Sequence, residues 1–193
     1  MTKSELRKIY LDKRRSLSLD EMSEKSEKIA DRFFESFDPA SDTTLHCFVT
    51  TRKFNEIDTS IIYKRLWTDF PSVRTVAPVV NFNTGELESF EFGSETKFIE
   101  NKWGISEVPM GEHVKTDEID IVMVPLLCFD KLGHRVGYGK GFYDKFLAKC
   151  RPNCRKVGLS YFPPVDLIRD AGKYDIRLDL AVTPERIFTF NPD

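Results

Sequence analysis

The sequence predicts an α/β fold, with a mostly parallel sheet flanked by helices, in a single domain over residues 1–193. Three observations predict it. Two helix-start signals open the chain, strand-like and helix-like segments alternate after them, and the segment Ile119–Leu127 is apolar on both faces, as is typical of a central parallel strand. The length of 193 residues and a hydrophobic fraction of 40% suit one domain with an ordinary core.

The two N-terminal helices each begin at a capping box, in which a hydroxyl and a Glu three residues later bond the free amides of the helix end. The tetrads Thr2–Glu5 and Ser18–Glu21 have this pattern and predict helices over Lys3–Ser16 and Leu19–Ser36. In the second helix, apolar residues recur at near-helical spacing, so one of its faces is predicted to be buried.

The rest of the chain alternates between short strands and helices. A turn at 83–85 predicts a hairpin between the second and third strands, and 95–116 is predicted to be irregular. Asp58 or Thr59 is predicted to cap the third helix. The predicted helices are Ser60–Asp69 and Phe142–Lys149, and the predicted strands are Thr44–Val49, Thr75–Val80, Leu87–Phe92, Ile119–Leu127, Lys156–Ser160, Leu180–Thr183 and Ile187–Phe190.

The charge balance argues against nucleic-acid and membrane partners. With 29 basic and 31 acidic residues the net charge is −2, so an anionic ligand requires a local basic site. The longest apolar run, Ile121–Phe129, is broken by Pro125, and the charged N-terminus lacks the apolar core of a signal peptide. We therefore expect a cytoplasmic protein, a monomer, that acts on a small molecule.

The cysteines and histidines give little support to a metal site of their own. The four cysteines lie at positions 47, 128, 150 and 154, and none forms a C-x-x-C pair. Cys150 and Cys154 can lie one helical turn apart, but no His is near them. We interpret all four as reduced thiols, and His46, His113 and His134 as packing or surface residues.

The glycine-rich segment Gly137–Asp144, which follows the predicted central strand, carries the chemistry. In open α/β sheets, ligands bind beyond the carboxyl ends of strands. A glycine-rich loop there lets backbone N–H groups approach phosphate oxygens, and Lys140 offers a point charge. The segment is neither a P-loop nor a dinucleotide fingerprint, because no Ser or Thr follows Gly-Lys and the spacing is G-x-G-x-G. The alternative is a glycine turn that only packs closely.

The first helix carries a second signal. At about 100° per residue, basic and apolar side chains fall on separate stripes of its surface. A basic stripe can deliver cations to a nucleotide, although such a stripe is often only a solvated face. The basic stripe comprises Lys3, Arg7, Tyr10 and Arg14, and the apolar stripe comprises Leu6, Ile9 and Leu17.

A resemblance adds to these patterns. The stretch Val124–Asp144 resembles the signature of the 5-formyltetrahydrofolate cyclo-ligases, a family also called methenyltetrahydrofolate synthetases. Lys3–Arg7 resembles the opening helix of that family, and Asn55–Thr59 resembles its folate-contacting loop. Lys102–Ile105 and Asp175–Asp179 also have counterparts, so the resemblance spans the chain. Small departures occur inside the signature, where Leu127, Tyr138 and Phe142 replace residues found in many or some members.

The resemblance implies an enzyme that converts 5-formyltetrahydrofolate and ATP to 5,10-methenyltetrahydrofolate, ADP and phosphate, with Mg²⁺. It implies that the formyl oxygen is phosphorylated before N10 closes the ring, and that Lys140 is catalytic. The implied ATP site is Lys3, Ser4, Glu5, Leu6, Arg7, Arg135, Val136, Gly137, Tyr138, Gly139, Lys140, Gly141, Phe142 and Tyr143. The implied folate site is Val49, Glu56, Trp103, Tyr138, Gly139, Lys140, Gly141 and Phe142. The implied metal ligands are Asp144 and Asp179.

Simpler interpretations of some residues stay open. Asp144 can cap a helix, Asp179 can pair with the nearby Arg177 or Arg186, and Trp103 can belong to the core. Two other functions also stay open. One is a relative that binds nucleotide or folate without catalysis, and the other is a sugar-phosphate enzyme on a similar sheet.

Overall fold

A mixed eight-stranded sheet organises the computed structural model, which describes residues 1–36, 43–81, 83–100, 106–108 and 111–190. The helices are α1 (Lys3–Arg15), α2 (Leu19–Glu35), α3 (Ser60–Asp69) and α4 (Phe142–Leu147). The strands are β1 (Thr44–His46), β2 (Arg74–Asn81), β3 (Glu86–Glu91), β4 (Ile99–Glu100), β5 (Ser106–Glu107), β6 (His113–Val114), β7 (Ile121–Pro125), β8 (Cys128–Phe129), β9 (Arg135–Val136), β10 (Arg155–Leu159), β11 (Leu180–Val182) and β12 (Ile187–Thr189).

The sheet has the order β12-β11-β10-β7-β1-β2-β3-β6. The five strands from β11 to β2 are parallel to one another. Outside them, β12 pairs antiparallel with β11, β3 with β2, and β6 with β3. The predicted central strand lies between two parallel neighbours, with Ile121 opposite Leu45 on one side and Arg155 on the other. Both of its faces are therefore buried, which explains its apolar sequence. The predicted α/β class is confirmed.

Helices cover both faces of the sheet. On one face α2 and α3 pack against β1, through Phe33, Leu66 and Leu45, and on the other α4 contributes Phe146, which packs with Val124. Both predicted capping boxes are present, at Thr2 and at Ser18. No helix within the ranges described above is both long and apolar enough to cross a membrane.

The predicted hairpin joins β2 and β3. Val80 lies opposite Leu87, and Gly85 takes a positive φ of 68° in the turn, where a side chain would be strained. At the start of α3 one candidate occupies the N-cap position without a side-chain cap bond, and the other supplies a carboxylate. Thr59 is the N-cap residue, while the Asp58 side chain accepts a hydrogen bond from the N–H of Ser60 at 2.9 Å.

Three short pieces of sheet were not predicted from the sequence. In the region predicted to be irregular, β4 pairs with β5, and β6 extends the main sheet beyond β3. After β7, the chain forms a small hairpin of β8 and β9 instead of continuing the predicted strand to Leu127. Strands of two residues are too short to show an alternating pattern, so periodicity does not reveal them.

Candidate active site

The glycine-rich loop connects β9 to α4 and needs its glycines for two reasons. Gly139 and Gly141 have φ values of 89° and 69°, a region that other residues rarely adopt. In addition, a Cβ on Gly139 would lie 3.2 Å from the guanidinium carbon of Arg7. The loop is thus a turn that only glycine adopts without strain at these two positions, and α1 approaches it closely. The Lys140 side chain between the two glycines is exposed to solvent.

The basic stripe of α1 faces this loop. Arg7 Nε donates to the carbonyl of Gly137 at 2.9 Å, and Arg14 Nη1 donates to the hydroxyl of Tyr138 at 3.0 Å. Arg14 Nη2 also donates to the carbonyl of Leu126. Two arginines seven residues apart, and so two turns apart on one face, therefore hold the loop against the helix.

The first turn of α1 also directs a basic side chain toward the body of the protein. Lys3 Nζ forms an ion pair with Asp175, and Leu6 is buried while Ile9 is exposed. The interpretation of the basic stripe as a solvated face is wrong, because its cations contact the body of the protein. The expected apolar stripe is only partly buried.

Glu56 meets the loop from the other side. It lies in the segment that follows the carboxyl end of β1, and its Oε1 accepts a hydrogen bond from the Tyr138 hydroxyl at 2.7 Å. Its Oε2 accepts the N–H of Thr51 at 2.9 Å, and its main-chain carbonyl accepts the Tyr161 hydroxyl at 3.0 Å. Burial, with a smaller contribution from Glu56, raises the pKa of Tyr138, so its side chain is a neutral phenol that donates to the carboxylate.

Asp144 lies beside the loop in the first turn of α4 but does not cap that helix. The N-cap position is Gly141, and the Asp144 carboxylate instead accepts Arg135 Nη2 at 2.8 Å and the N–H of Ile176 at 3.1 Å. Burial lowers the pKa of Arg135, and the charge of Asp144 opposes this shift. The carboxylate therefore ties the loop and α4 to the segment that leads into β11.

Asp179 directly precedes β11 and so lies at the amino ends of the parallel strands. Glu56 follows β1 and lies at their carboxyl ends. The Oδ2 atom of Asp179 accepts the N–H of Lys156 at 2.7 Å and pairs with Lys156 Nζ at 2.9 Å. The two carboxylates predicted to bind metal are thus paired with different basic side chains, Asp144 with Arg135 and Asp179 with Lys156. Among the described residues, no group of three or more His, Cys, Asp or Glu side chains could hold a metal ion. Asp144 and Asp179 stay predictions as metal ligands.

Comparison with known proteins decides the family. The model of the 5-formyltetrahydrofolate cyclo-ligase family matches residues 1–171. The chain belongs to this family. The 5-formyltetrahydrofolate cyclo-ligase of Mycoplasma pneumoniae is 26% identical over 186 residues, which cover 96% of this chain and 100% of that protein. The enzyme of the same name from Escherichia coli K12 is 25% identical, covering 91% of this chain and 97% of that protein.

A solved structure agrees with the sequence comparison. The NMR structure of the 5,10-methenyltetrahydrofolate synthetase of Aquifex aeolicus matches with a TM-score of 0.80 and 30% identity, covering 100% of this chain and 95% of that one. The predicted family is confirmed, and with it the predicted enzyme class. The roles of individual residues in this chain stay predictions.

Several residues implied in ATP binding make structural contacts in this protein. Glu5 completes the capping box of α1 with Thr2, so its carboxylate bonds a backbone N–H. Leu6 and Val136 are buried together between α1 and the β8–β9 hairpin. Of the residues implied in folate binding, Val49 is half-buried against the core, and Trp103 lies outside the described residues.

Tyr143, in α4, has its hydroxyl buried next to a buried histidine. The rings of Tyr143 and His46 meet edge to face with centroids 6.0 Å apart. Within the described part of the chain, neither the Tyr143 hydroxyl nor either His46 ring nitrogen has a hydrogen-bond partner. Burial lowers the pKa of His46 to about 3 and raises that of Tyr143, so both side chains are neutral. His46 is a packing residue, as expected.

Arg14, Thr51 and Tyr161 contact the site although none was among the predicted site residues. Arg14 was on the predicted basic stripe, and its spacing from Arg7 was the signal that could have identified it. Thr51 and Tyr161 gave no such signal. Thr51 contributes a backbone N–H, and Tyr161 reaches Glu56 from 105 residues away in the sequence.

Proposed function

We propose that this protein catalyses the ATP- and Mg²⁺-dependent conversion of 5-formyltetrahydrofolate to 5,10-methenyltetrahydrofolate, with release of ADP and phosphate. The hydrogen bond between Tyr138 and Glu56, at 2.7 Å, carries the proposal. It joins the loop that resembles the family's nucleotide site to the segment that resembles its folate site. The sugar-phosphate alternative accounts for the loop but not for its pairing with the segment that resembles the folate site.

Glu56 suits the pterin edge of the folate. That edge presents a 2-amino group and a ring N–H side by side, and a carboxylate accepts two parallel hydrogen bonds. The Thr51 amide and the Tyr138 hydroxyl each use one acceptor position of the Glu56 carboxylate. Since each oxygen has two lone pairs, both oxygens can still accept one donor from a ligand.

The reaction divides into three steps. First, the formyl oxygen attacks the γ-phosphorus of ATP, and the bond from that phosphorus to the β,γ-bridging oxygen breaks, which releases ADP. Second, the lone pair of N10 attacks the activated formyl carbon, and N10 loses its proton as the five-membered ring closes. Third, the carbon–oxygen bond breaks, and phosphate leaves with the electron pair to give the methenyl cation. The protein's main task is to place the formyl oxygen and the γ-phosphate in line.

Lys140 and the glycine loop carry the electrostatic part of this task. Lys140 is exposed between two glycines, so its ammonium group can follow the transferring phosphoryl group. Arg7 engages the Gly137 carbonyl, which turns a cation toward the loop on its α1 side. Fixed positive charge near the phosphates stabilises the charge that develops on their oxygens.

The carboxylates of Asp144 and Asp179 have the chemistry that Mg²⁺ prefers. Each is about a third exposed, at 33% and 34%, and each uses one of its oxygens for a neighbouring base. Each would offer its other oxygen to a hard cation such as Mg²⁺. When bound, Mg²⁺ supplies positive charge to the phosphate oxygens.

The test is a direct assay of the methenyl product by its absorbance. Purified protein with 5-formyltetrahydrofolate and Mg·ATP should form it, with one ADP per ring closed, and omission of ATP should abolish it. ATP hydrolysis at a rate indifferent to folate would contradict the proposal.

We also propose that the enzyme is a cytoplasmic monomer formed by one domain over residues 1–193. The four cysteines are free thiols, as is typical of proteins in the reducing cytoplasm. Light scattering after size-exclusion chromatography should give a mass near 22.4 kDa, and a dimer mass would contradict the monomer.

A further inference from the structure

Arg14 is a buried cation that no carboxylate of a described residue contacts. Its exposed fraction is 3%, and no ion pair joins it to another described residue. Its donors instead meet the Tyr138 hydroxyl and the Leu126 carbonyl, and its guanidinium carbon lies 5.8 Å from the centroid of the Tyr161 ring. A buried charge is costly unless it is hydrogen-bonded, so this side chain is fixed in place by the few contacts it has.

The contact with Tyr138 has only one possible direction. Arginine carries donors and no acceptor, so the Tyr138 oxygen must accept from Arg14. The single hydroxyl proton of Tyr138 is then directed to Glu56 Oε1. Because burial raises the pKa of Tyr138, the phenol keeps this proton. Arg14 therefore excludes the alternative in which the Tyr138 hydroxyl turns away from the carboxylate.

Glu56 is thereby held from both sides. The Tyr138 hydroxyl holds Oε1, and the backbone N–H of Thr51 holds Oε2, which fixes the plane of the carboxylate. Asn55, the residue before Glu56, donates from its side-chain amide to the carbonyl of Arg14 at 3.1 Å. The same arginine thus contacts the Glu56 segment through its main chain and the Glu56 side chain through Tyr138.

We propose that Arg14 is a positioning residue for folate binding, acting through the Tyr138 hydroxyl on the orientation of the Glu56 carboxylate. The proposal rests on the function proposed above. Arg14 acts indirectly, since the Tyr138 hydroxyl lies between it and the Glu56 carboxylate. The loop backbone has a separate anchor in Arg7, which bonds the Gly137 carbonyl. Loss of Arg14 should therefore affect folate more than ATP.

A double-mutant cycle tests this relay. The variants are Arg14→Met, which keeps the length of the side chain without its donors, Tyr138→Phe, and the two combined. For each, we would measure the Kd of 5-formyltetrahydrofolate by titration, both KM values and the melting temperature. The matched control is Arg15→Met, because Arg15 neighbours Arg14 but is exposed and pairs only with Asp12 among the described residues.

The expected result is non-additive. Tyr138→Phe removes a hydrogen bond to a charged group, typically about 1.5–3 kcal/mol, so the folate Kd should rise by roughly 10–150-fold. Arg14→Met should raise it in the wild-type background but change it by less than about 2-fold in the Tyr138→Phe background, since the relay is already broken. The KM for ATP should change far less, and Arg15→Met should behave as wild type.

Independent effects would overturn the proposal. If the two substitutions multiply in their effects on folate Kd, or if Arg14→Met raises both KM values equally, Arg14 only stabilises the fold. Should Arg14→Met fail to fold, Arg14→Lys replaces it in the cycle, because it keeps the charge but lacks the planar fork. A wild-type protein that forms no methenyl product would sink the proposed function, whereas an active wild type with multiplicative effects would sink only the role of Arg14.

Discussion

Replacement of Glu56 by Gln tests the folate site most directly, because it changes one oxygen of the carboxylate to an NH₂ group. In the wild type, Oε2 accepts the Thr51 N–H at 2.9 Å and Oε1 accepts the Tyr138 hydroxyl at 2.7 Å. The backbone N–H cannot turn away, so the amide oxygen of Gln is expected to stay with Thr51. The NH₂ group then faces Tyr138, and it also faces one of the two donors of the pterin edge.

The magnitude follows from that one mismatched pair. A buried donor left without an acceptor costs about 1–3 kcal/mol, and at 1.4 kcal/mol per decade the affinity for 5-formyltetrahydrofolate should fall by roughly 5–150-fold. The lost bond joins Tyr138 to the charged Glu56 carboxylate, and such a bond typically contributes about 1.5–3 kcal/mol to folding. For a chain of this size the melting temperature should therefore fall by roughly 3–12 °C. The KM for ATP should hardly change.

The assay compares folate Kd, both KM values and the melting temperature for Glu56→Gln and for Glu27→Gln. Glu27 is an exposed glutamate of α2, so its substitution controls for the loss of one negative charge. An unaltered folate Kd in Glu56→Gln would refute the pterin assignment. Equal losses for folate and ATP would show that Glu56 only supports the loop through Tyr138.

Three further predictions concern the rest of the molecule. Lys140→Ala should lower kcat by about 100-fold, or about 2.7 kcal/mol of barrier, while ATP still binds; an unchanged kcat with a higher KM for ATP would make Lys140 a binding residue only. Asp144→Asn and Asp179→Asn should each raise the Mg²⁺ concentration needed for half-activity in a titration, whereas a lower melting temperature alone would leave Asp144 as the partner of Arg135. His46 has its pKa lowered to about 3, below its value in the unfolded chain, so the unfolded state binds the extra proton and stability is lost as the pH falls below about 6.5. Between pH 7 and pH 5, the free energy of urea unfolding should fall by about 2 kcal/mol more in the wild type than in His46→Phe. Equal pH dependence of the two proteins would disprove this.

Local signals in the sequence were enough to locate most elements. The capping boxes at Thr2 and Ser18 set the starts of α1 and α2, since the donors and acceptors involved lie within four residues of each other. The apolar character of β7 revealed its place between parallel neighbours. The glycine-rich loop was also recognisable from local sequence. Positive φ values at Gly139 and Gly141 require glycine whatever surrounds them.

The tertiary structure alone decided which side chains meet. The sequence left the basic stripe of α1 open between a solvated face and a ligand site, and only packing turned Arg7 and Arg14 toward the loop. The bond from Tyr138 to Glu56 spans 82 residues, and that from Arg14 to Tyr138 spans 124. Such pairings leave no periodicity or spacing in the sequence, because they depend on how the sheet brings distant segments to one edge. The sequence by itself therefore determined most of the elements, the glycine-rich loop and the resemblance to the family. The hydrogen-bonded path from Arg14 to Glu56 exists only once β1, β7 and α1 are packed together.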